Sequence, residues 1–139
     1  MGCYAVIDTN VIVSALITKN PKAPTVEVLH EIFGGRITPL FHEDILEEYE
    51  EVLRRPKFHL RDETIQTVLA AVRQFGVEVH PTPTGEILPD MDDLIFYEVA
   101  MEKRDDDAWL VTGNQKHYPP RKYIVTPAEM IRILNEKNE

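Results

Sequence analysis

Short apolar runs alternate along the chain with longer segments in which apolar residues recur every three or four positions. The short runs predict buried strands, and the longer segments predict amphipathic helices. Strands are predicted, in chain order, at residues 4–7, 37–41, 77–79, 108–111 and 123–125. Helices are predicted at residues 10–16, 24–33, 43–53, 62–75, about 92–103, and from 127 onward.

Strands that alternate with helices are typical of an α/β fold with a mainly parallel sheet and helices on both faces. Prolines and glycines mark most of the boundaries. Asp62 is predicted to cap one helix, Asp92 or a residue near it is predicted to cap the next, and Gly76 is predicted to end one. Pro39 lies inside the second predicted strand and argues against regular pairing there, because proline has no N–H to donate. Residues 80–90 contain three prolines and are predicted to form a loop.

The length of 139 residues predicts one domain, spanning residues 1–139. A single cysteine excludes an internal disulfide and fits a reducing compartment. No apolar run approaches the roughly 20 residues that a membrane span needs, so we expect a soluble, cytoplasmic protein without membrane partners. The formal net charge of −9 argues against non-specific nucleic-acid binding but suits a site of carboxylates that recruits cations.

The first predicted strand ends at an acid, in the sequence Ile7-Asp8-Thr9-Asn10. Ligands of open parallel sheets bind beyond the carboxyl ends of the strands, where Asp8 is expected to lie. An acid at this place is equally typical of a helix N-cap. The segment alone therefore leaves both interpretations open, and other acids must converge on Asp8 to decide between them.

The predicted helix over residues 43–53 supplies six acids. On a helical wheel with about 100° per residue, four of them point away from the apolar face into solvent. Glu48 and Glu50 each flank an edge of that face, so either could extend towards the strand ends. Helical geometry therefore leaves Glu48 and Glu50 as the two candidate site acids of this helix and does not distinguish between them.

Two further polar segments are expected at the same edge of the sheet. Asp90, Asp92 and Asp93 lie at or before a helix start, where caps and favourable dipole charges account for some of them. Asp93 directly precedes a buried apolar run and should lie nearest to the interior. A buried strand also leads directly into the turn at residues 112–114.

Clustered carboxylates repel one another and have raised pKa values unless a cation neutralises them. Hard oxygen ligands suit Mg²⁺ or Mn²⁺. Such an ion can activate a bound water and shield a phosphate during in-line attack, so phosphodiester hydrolysis is the chemistry that this cluster predicts.

Four segments, taken together and in order, resemble a known family. They are VIDTNVIVSAL, ILEEYEEVLRRPKF, DMDDLIFYEVA and WLVTGNQKHYP. They resemble the PIN-domain nucleases, and most closely the bacterial and archaeal branch described as toxins of VapC type. The resemblance extends over nearly the whole chain and implies a single-domain three-layer α/β/α sandwich with metal-dependent endoribonuclease activity.

The resemblance also implies roles for particular residues. The family's three acids match Asp8, Glu48 and Asp93, so Glu48 rather than Glu50 is implied as a ligand of Mg²⁺ or Mn²⁺. The fourth catalytic position is Asn114, where many members carry aspartate, and its neutral side chain argues against a second metal ion. The remaining site residues, expected to contact the substrate or the carboxylates, are Thr9, Asn10, Thr112 and His117.

Partners follow from the same resemblance. The substrate would be RNA, an antitoxin protein would block the acidic cleft, and a homodimer is compatible with the family. The alternative function is a catalytically weak or inactive module that binds RNA or protein, which Asn114 and the acidic net charge favour. A phosphatase with Asp8 as nucleophile ranks below both, because the D-x-D pattern at the first strand is absent.

Overall fold

The computed structural model describes residues 2–137, and its described strands form one parallel sheet. The strands are β1 (Cys3–Ile7), β2 (Ile37–Phe41), β3 (Val77–Glu78), β4 (Trp109–Val111) and β5 (Ile124–Val125). Their order in the sheet is β3-β2-β1-β4-β5, and every neighbouring pair is parallel. The predicted α/β sandwich with a parallel central sheet is therefore confirmed. Residues 1, 138 and 139, which the single-domain prediction also covers, lie outside the described residues.

The helices follow the predicted order. They are α1 (Thr9–Ile17), α2 (Pro24–Phe33), α3 (Glu43–Leu53), α4 (Asp62–Phe75), α5 (Leu94–Glu102) and α6 (Pro127–Lys137). Both α2 and α4 contact β2, whereas α5 contacts β1, β2 and β4. Within residues 2–137, no helix is both long enough and apolar enough to cross a bilayer.

The helix cap predicted at Asp62 is wrong, and an ion pair explains the difference. Asp62 is the first residue of α4 and makes no capping bond; its carboxylate lies 2.7 Å from Arg54. Before α5 the cap is Asp90, close to the predicted position, and its side chain accepts a hydrogen bond from the Asp92 N–H at 3.0 Å. A short 3₁₀ turn, Met91–Asp93, then leads into α5.

Pro39 lies inside β2, which has neighbours on both sides, but it is paired on one side only, as its missing N–H leads one to expect. It is paired with Ala5 of β1, and the pairing with β3 starts only after it, at Leu40 and Phe41. Strand β3 has two residues, and Val79, which was predicted to belong to it, follows the strand.

The strand order reverses between β1 and β4. The chain first adds β2 and β3 on one side of β1, and then crosses back to place β4 and β5 on the other side. Open α/β sheets bind ligands at such a switch point, beyond the carboxyl ends of the two strands. Asp8 follows β1 and Thr112 follows β4, so both lie at this point.

Helix α3 is fastened to the same end of β1 by a buried tyrosine. The Tyr49 hydroxyl donates a hydrogen bond to the Ile7 carbonyl, and the ring packs at a tilt against Phe96 of α5, with 6.1 Å between centroids. Burial raises the pKa of Tyr49 well above its usual value, so the hydroxyl keeps its proton. This contact fixes the position of α3 relative to Asp8.

We therefore expect Tyr49→Phe to lower the free energy of unfolding by about 1–3 kcal/mol, because the buried Ile7 carbonyl would lose its donor while the ring still fills its space. Urea denaturation measures this change. The matched control is Tyr4→Phe on the exposed side of β1, where a change within about 0.5 kcal/mol is expected. Equal stability of the two variants would contradict the assigned role of the Tyr49 hydroxyl.

Candidate active site

Asp8 is turned towards the neighbouring strand instead of capping the helix that it precedes. It occupies the N-cap position of α1, but within residues 2–137 its side chain makes no capping hydrogen bond. Its Oδ2 instead accepts two hydrogen bonds, from the Thr112 hydroxyl at 2.8 Å and from the Tyr118 hydroxyl at 2.9 Å. With only 5% of its surface exposed, Asp8 is a buried carboxylate held by hydroxyl groups. The N-cap interpretation therefore does not account for this residue.

The turn after β4 is joined to the start of α1 by short polar contacts. The Thr112 hydroxyl accepts a hydrogen bond from the Asn114 N–H at 3.0 Å, so its own hydrogen is directed to Asp8. The Gly113 N–H donates to Oδ1 of Asn10 at 3.0 Å. A Cβ at position 113 would lie 3.3 Å from that oxygen, which makes glycine the residue that fits this approach. Hydrogen bonds thus connect Asn10 of α1 to the turn that contains Thr112 and Asn114.

Glu48 of α3 is directed towards the start of α1, where the buried Thr9 hydroxyl donates a hydrogen bond to its Oε2. Glu50 points elsewhere and forms an ion pair with Arg54 at 3.0 Å. The structure therefore places Glu48, and not Glu50, beside Asp8, which helical geometry alone left open.

Asp93 reaches the same region from the start of α5. Its side chain is 13% exposed, and its Oδ2 lies 3.1 Å from Nδ1 of His117. The other ring nitrogen of His117 lies 3.0 Å from Nδ2 of Asn114. An imidazole with its hydrogen on Nδ1 satisfies both contacts, donating to Asp93 and accepting from Asn114.

These residues surround one open cleft of about 490 Å³. It is lined by the acids Asp8, Glu48, Asp90, Asp92 and Asp93, together with Thr9, Asn10, Asn114 and His117. The remaining lining residues are Val13, Ser14, Ile17, Val52, Phe58 and Arg55. Thr112 lies beneath the cleft and acts on it through Asp8. All of the predicted site residues are therefore brought to this end of the sheet.

Burial and neighbouring charges raise the pKa values of two acids of the cleft, Glu48 and Asp93. Burial raises the pKa of Glu48, and the charges of Asp8 and Asp93 add to the effect, against the hydrogen bond from Thr9. Burial likewise raises the pKa of Asp93 from 3.8 to about 6, with further contributions from Asp8 and Asp90, although the contact with His117 opposes the shift. These carboxylates therefore lack sufficient positive charge in their surroundings.

The donor set suits a divalent cation, although the carboxylates are not drawn together into a cage. Within residues 2–137, no group of three or more His, Cys, Asp or Glu side chains is arranged to hold a metal ion. Glu48 is held by Thr9 and Asp93 by His117, and charges of like sign favour separation. Mg²⁺ commonly binds through one or two carboxylates and keeps several waters, so Asp8, Glu48 and Asp93 fit such an ion directly or through water.

Tyr118 is the contact that sequence reasoning missed. Burial, followed by the charges of Asp8 and Asp93, raises its pKa well above the usual range, so its hydroxyl remains a donor to Asp8. It lies in the irregular segment between β4 and β5, where no periodicity indicates which way a side chain points. The one feature of the sequence that could have indicated the contact with Asp8 is the position of Tyr118, a few residues after the turn that follows β4.

A family model described as "PIN domain" matches residues 4–116 of the chain. The chain is also similar to "Uncharacterized protein MJ1680" of Methanocaldococcus jannaschii, with 34% identity over 113 residues that cover 79% of this chain and 70% of the relative. The chain therefore belongs to the PIN-domain family. PIN domains are generally nucleases and usually use divalent metal ions, which agrees with the carboxylates and the parallel sheet described above.

The raised pKa of Asp93 predicts that its charge destabilises the fold at neutral pH. Below pH 4 the carboxyl is protonated in both folded and unfolded chains; between pH 4 and 6 only the unfolded chain loses the proton, so stability falls as the pH rises. We expect Asp93→Asn to raise the free energy of unfolding at pH 7.5 by about 1–2 kcal/mol. This gain is smaller than the free-energy equivalent of the whole pKa shift, because water in the open cleft screens the charge.

Urea denaturation without divalent metal at pH 7.5 and pH 4 measures this gain, which should shrink towards zero at pH 4. The control is Asp106→Asn in the exposed turn after α5, where a change within about 0.5 kcal/mol is expected at both pH values. A loss of stability in Asp93→Asn at pH 7.5 would show that its carboxylate is stabilising and that the direction assigned here is wrong.

Proposed function

We propose that this PIN-domain protein is an endoribonuclease that hydrolyses RNA phosphodiester bonds with Mg²⁺ or Mn²⁺ held by Asp8, Glu48 and Asp93. The observation that carries the proposal is the convergence of these three acids on one cleft. They come from the end of β1, the middle of α3 and the start of α5, and they meet at the switch point of the sheet.

The charge of the cleft explains why a cation would be required. RNA is a polyanion, and the acids of the cleft would repel its phosphates, in a chain whose formal net charge is −9. A bound divalent cation would offset this repulsion and lower the pKa of a coordinated water to generate the nucleophile. Arg55 is a cationic side chain that also lines the cleft, although it contacts Glu51 at 3.2 Å.

The side chains themselves supply orientation. Asp8 is restrained through its Oδ2, so its Oδ1 is the oxygen left for the cleft. The carbonyl oxygen of Asn10 is occupied by the Gly113 N–H, which leaves its amide hydrogens for a phosphate oxygen or a bound water. His117, between Asn114 and Asp93, keeps the Asp93 carboxylate at the edge of the cleft.

We expect Glu48→Gln to reduce cleavage by about 100-fold or more, because it removes a charge from the proposed metal ligands. The control is Glu50→Gln, two residues along the same helix, which loses only a surface ion pair with Arg54 and should cleave like the unaltered protein. The assay is cleavage of a pool of structured and single-stranded RNA with Mn²⁺, with Mg²⁺, or with a chelator.

Equal activity of Glu48→Gln and Glu50→Gln would remove Glu48 from the proposed site. Metal binding without cleavage of any RNA would support the alternative of a PIN-like module that binds RNA or protein. Asn114 favours that alternative, because it places an uncharged amide at a position where many members carry a carboxylate. Asn114→Asp would then be the first variant to assay.

We further propose that the chain is the toxin of a type II toxin–antitoxin pair, blocked by a small antitoxin. The support is the composition of the cleft, since a peptide with one basic and several apolar side chains would complement its acidic and apolar lining residues. This proposal, like the possible homodimer, goes beyond the family assignment.

If the chain is a toxin, its expression alone should arrest bacterial growth, and Asp8→Asn should relieve the arrest because cleavage is lost. Growth curves after induction, with equal protein levels verified by immunoblot, provide the measurement. Arrest that persists with Asp8→Asn would separate toxicity from the carboxylate site. Normal growth with active enzyme would favour a role in RNA processing.

A further inference from the structure

Tyr118, the tyrosine of the segment WLVTGNQKHYP, contacts the proposed metal site from just beyond the end of the family-model match. The match ends at residue 116, and Tyr118 follows the short 3₁₀ turn Gln115–His117. Its side chain is buried, with 5% of the residue exposed, and its hydroxyl lies 2.9 Å from Oδ2 of Asp8. The contact joins residues that are 110 positions apart in the chain.

Both hydrogen bonds that the described residues make with the Asp8 carboxylate go to the same oxygen. Thr112 donates to Oδ2 at 2.8 Å and Tyr118 at 2.9 Å. Two donors on one oxygen restrain rotation of the carboxylate about its Cβ–Cγ bond, because turning it would break both. The restraint leaves Oδ1 for a ligand in the cleft.

The two donors are themselves fixed in place. The Thr112 hydroxyl accepts the Asn114 N–H at 3.0 Å, which orients its hydrogen towards Asp8. The Tyr118 ring is part of the buried core, next to Pro119 and Pro120, whose rings limit the conformations of the following backbone. A rigid ring carries its hydroxyl with little loss of side-chain entropy, so it suits the task of holding a buried carboxylate in one orientation.

We infer that Tyr118 is a positioning residue for a divalent cation, acting with Thr112 to hold the Asp8 carboxylate so that Oδ1 faces the cleft. The inference rests on the proposed function, because it assumes that Asp8 contributes to metal binding. Residues that orient a metal ligand through a hydrogen bond commonly change metal affinity by 10–100-fold when they are removed.

The test is the Mn²⁺ affinity of the full chain, measured from the electron paramagnetic resonance signal of free Mn²⁺ in a titration. Tyr118→Phe keeps the ring and removes the hydroxyl, and we expect roughly 10-fold weaker binding. The matched control is Tyr123→Phe in the same part of the chain, whose hydroxyl contacts Met101 and not the acids of the cleft. It should bind Mn²⁺ as the unaltered protein does.

A double-mutant cycle separates positioning from a general structural effect. In an Asp8→Asn background, Tyr118→Phe should cause no further loss of Mn²⁺ affinity, because the group on which the hydroxyl acts is already gone. Thr112→Val should weaken binding in the same direction as Tyr118→Phe, and the two losses should not be additive, since both hydroxyls donate to one oxygen.

Unchanged Mn²⁺ affinity in Tyr118→Phe would overturn the inference while leaving the proposed function intact. An equal loss in Tyr123→Phe, or a further loss in the Asp8→Asn background, would also overturn it, because the effect would then not pass through Asp8. Failure of the unaltered protein to bind Mn²⁺ would reject both the metal site and the role of Tyr118.

Discussion

Repulsion among the carboxylates at the carboxyl end of the sheet is the constraint on which the arrangement of the cleft depends. Asp8, Glu48 and Asp93 are held by a pair of hydroxyls, one hydroxyl and an imidazole, respectively. Six acids elsewhere on the described chain form ion pairs with arginine instead: Glu31, Glu43, Glu50, Glu51, Asp62 and Glu86. Within residues 2–137, no ion pair joins an arginine or lysine to the three cleft acids. Their hydrogen bonds fix the positions of the carboxylates but supply little positive charge. A cation that enters the cleft would supply the charge needed to neutralise them.

The topology of the sheet is what brings these acids together. Because the strand order reverses between β1 and β4, the segments that follow these two strands diverge and open a crevice. Asp8 and Thr112 border this crevice, and α3 reaches it because Tyr49 ties that helix to the last carbonyl of β1. The hydrogen bond between Tyr49 and Ile7 therefore contributes both to the stability of the core and to the geometry of the site. Burial of apolar side chains offsets the free-energy cost of placing the acids close together. These side chains are Val6, Ile7, Leu110 and Val111, together with those of the helices packed around them.

Local patterns were sufficient to predict the order and type of the elements, since α2, α3, α4 and α6 have an apolar face and the strands contain short apolar runs. These patterns were insufficient wherever a residue outside the element determines which partner a side chain contacts. Asp62 resembles a helix cap in sequence but pairs with Arg54, which precedes it by eight positions. Glu48 and Glu50 are equivalent on a helical wheel, and in the structure the Thr9 hydroxyl and the Arg54 guanidinium distinguish them. Tyr118 lies in a segment without periodicity, and its role depends on a partner 110 positions away in the chain.

Asparagine at position 114 has a physical explanation in this arrangement. Its Nδ2 lies 3.0 Å from Nε2 of His117, and the opposite ring nitrogen contacts Asp93. An asparagine amide can donate to an imidazole that carries its hydrogen on Nδ1, and this tautomer can in turn donate to the carboxylate. An aspartate at position 114 could only accept, so His117 would have to carry hydrogens on both nitrogens to bridge the two acids. Asparagine therefore permits the His117–Asp93 contact with one less negative charge beside Asp8 and Asp93. Burial and neighbouring acids already raise the pKa values of Glu48 and Asp93. An uncharged residue at position 114 therefore reduces the positive charge that a cation must bring.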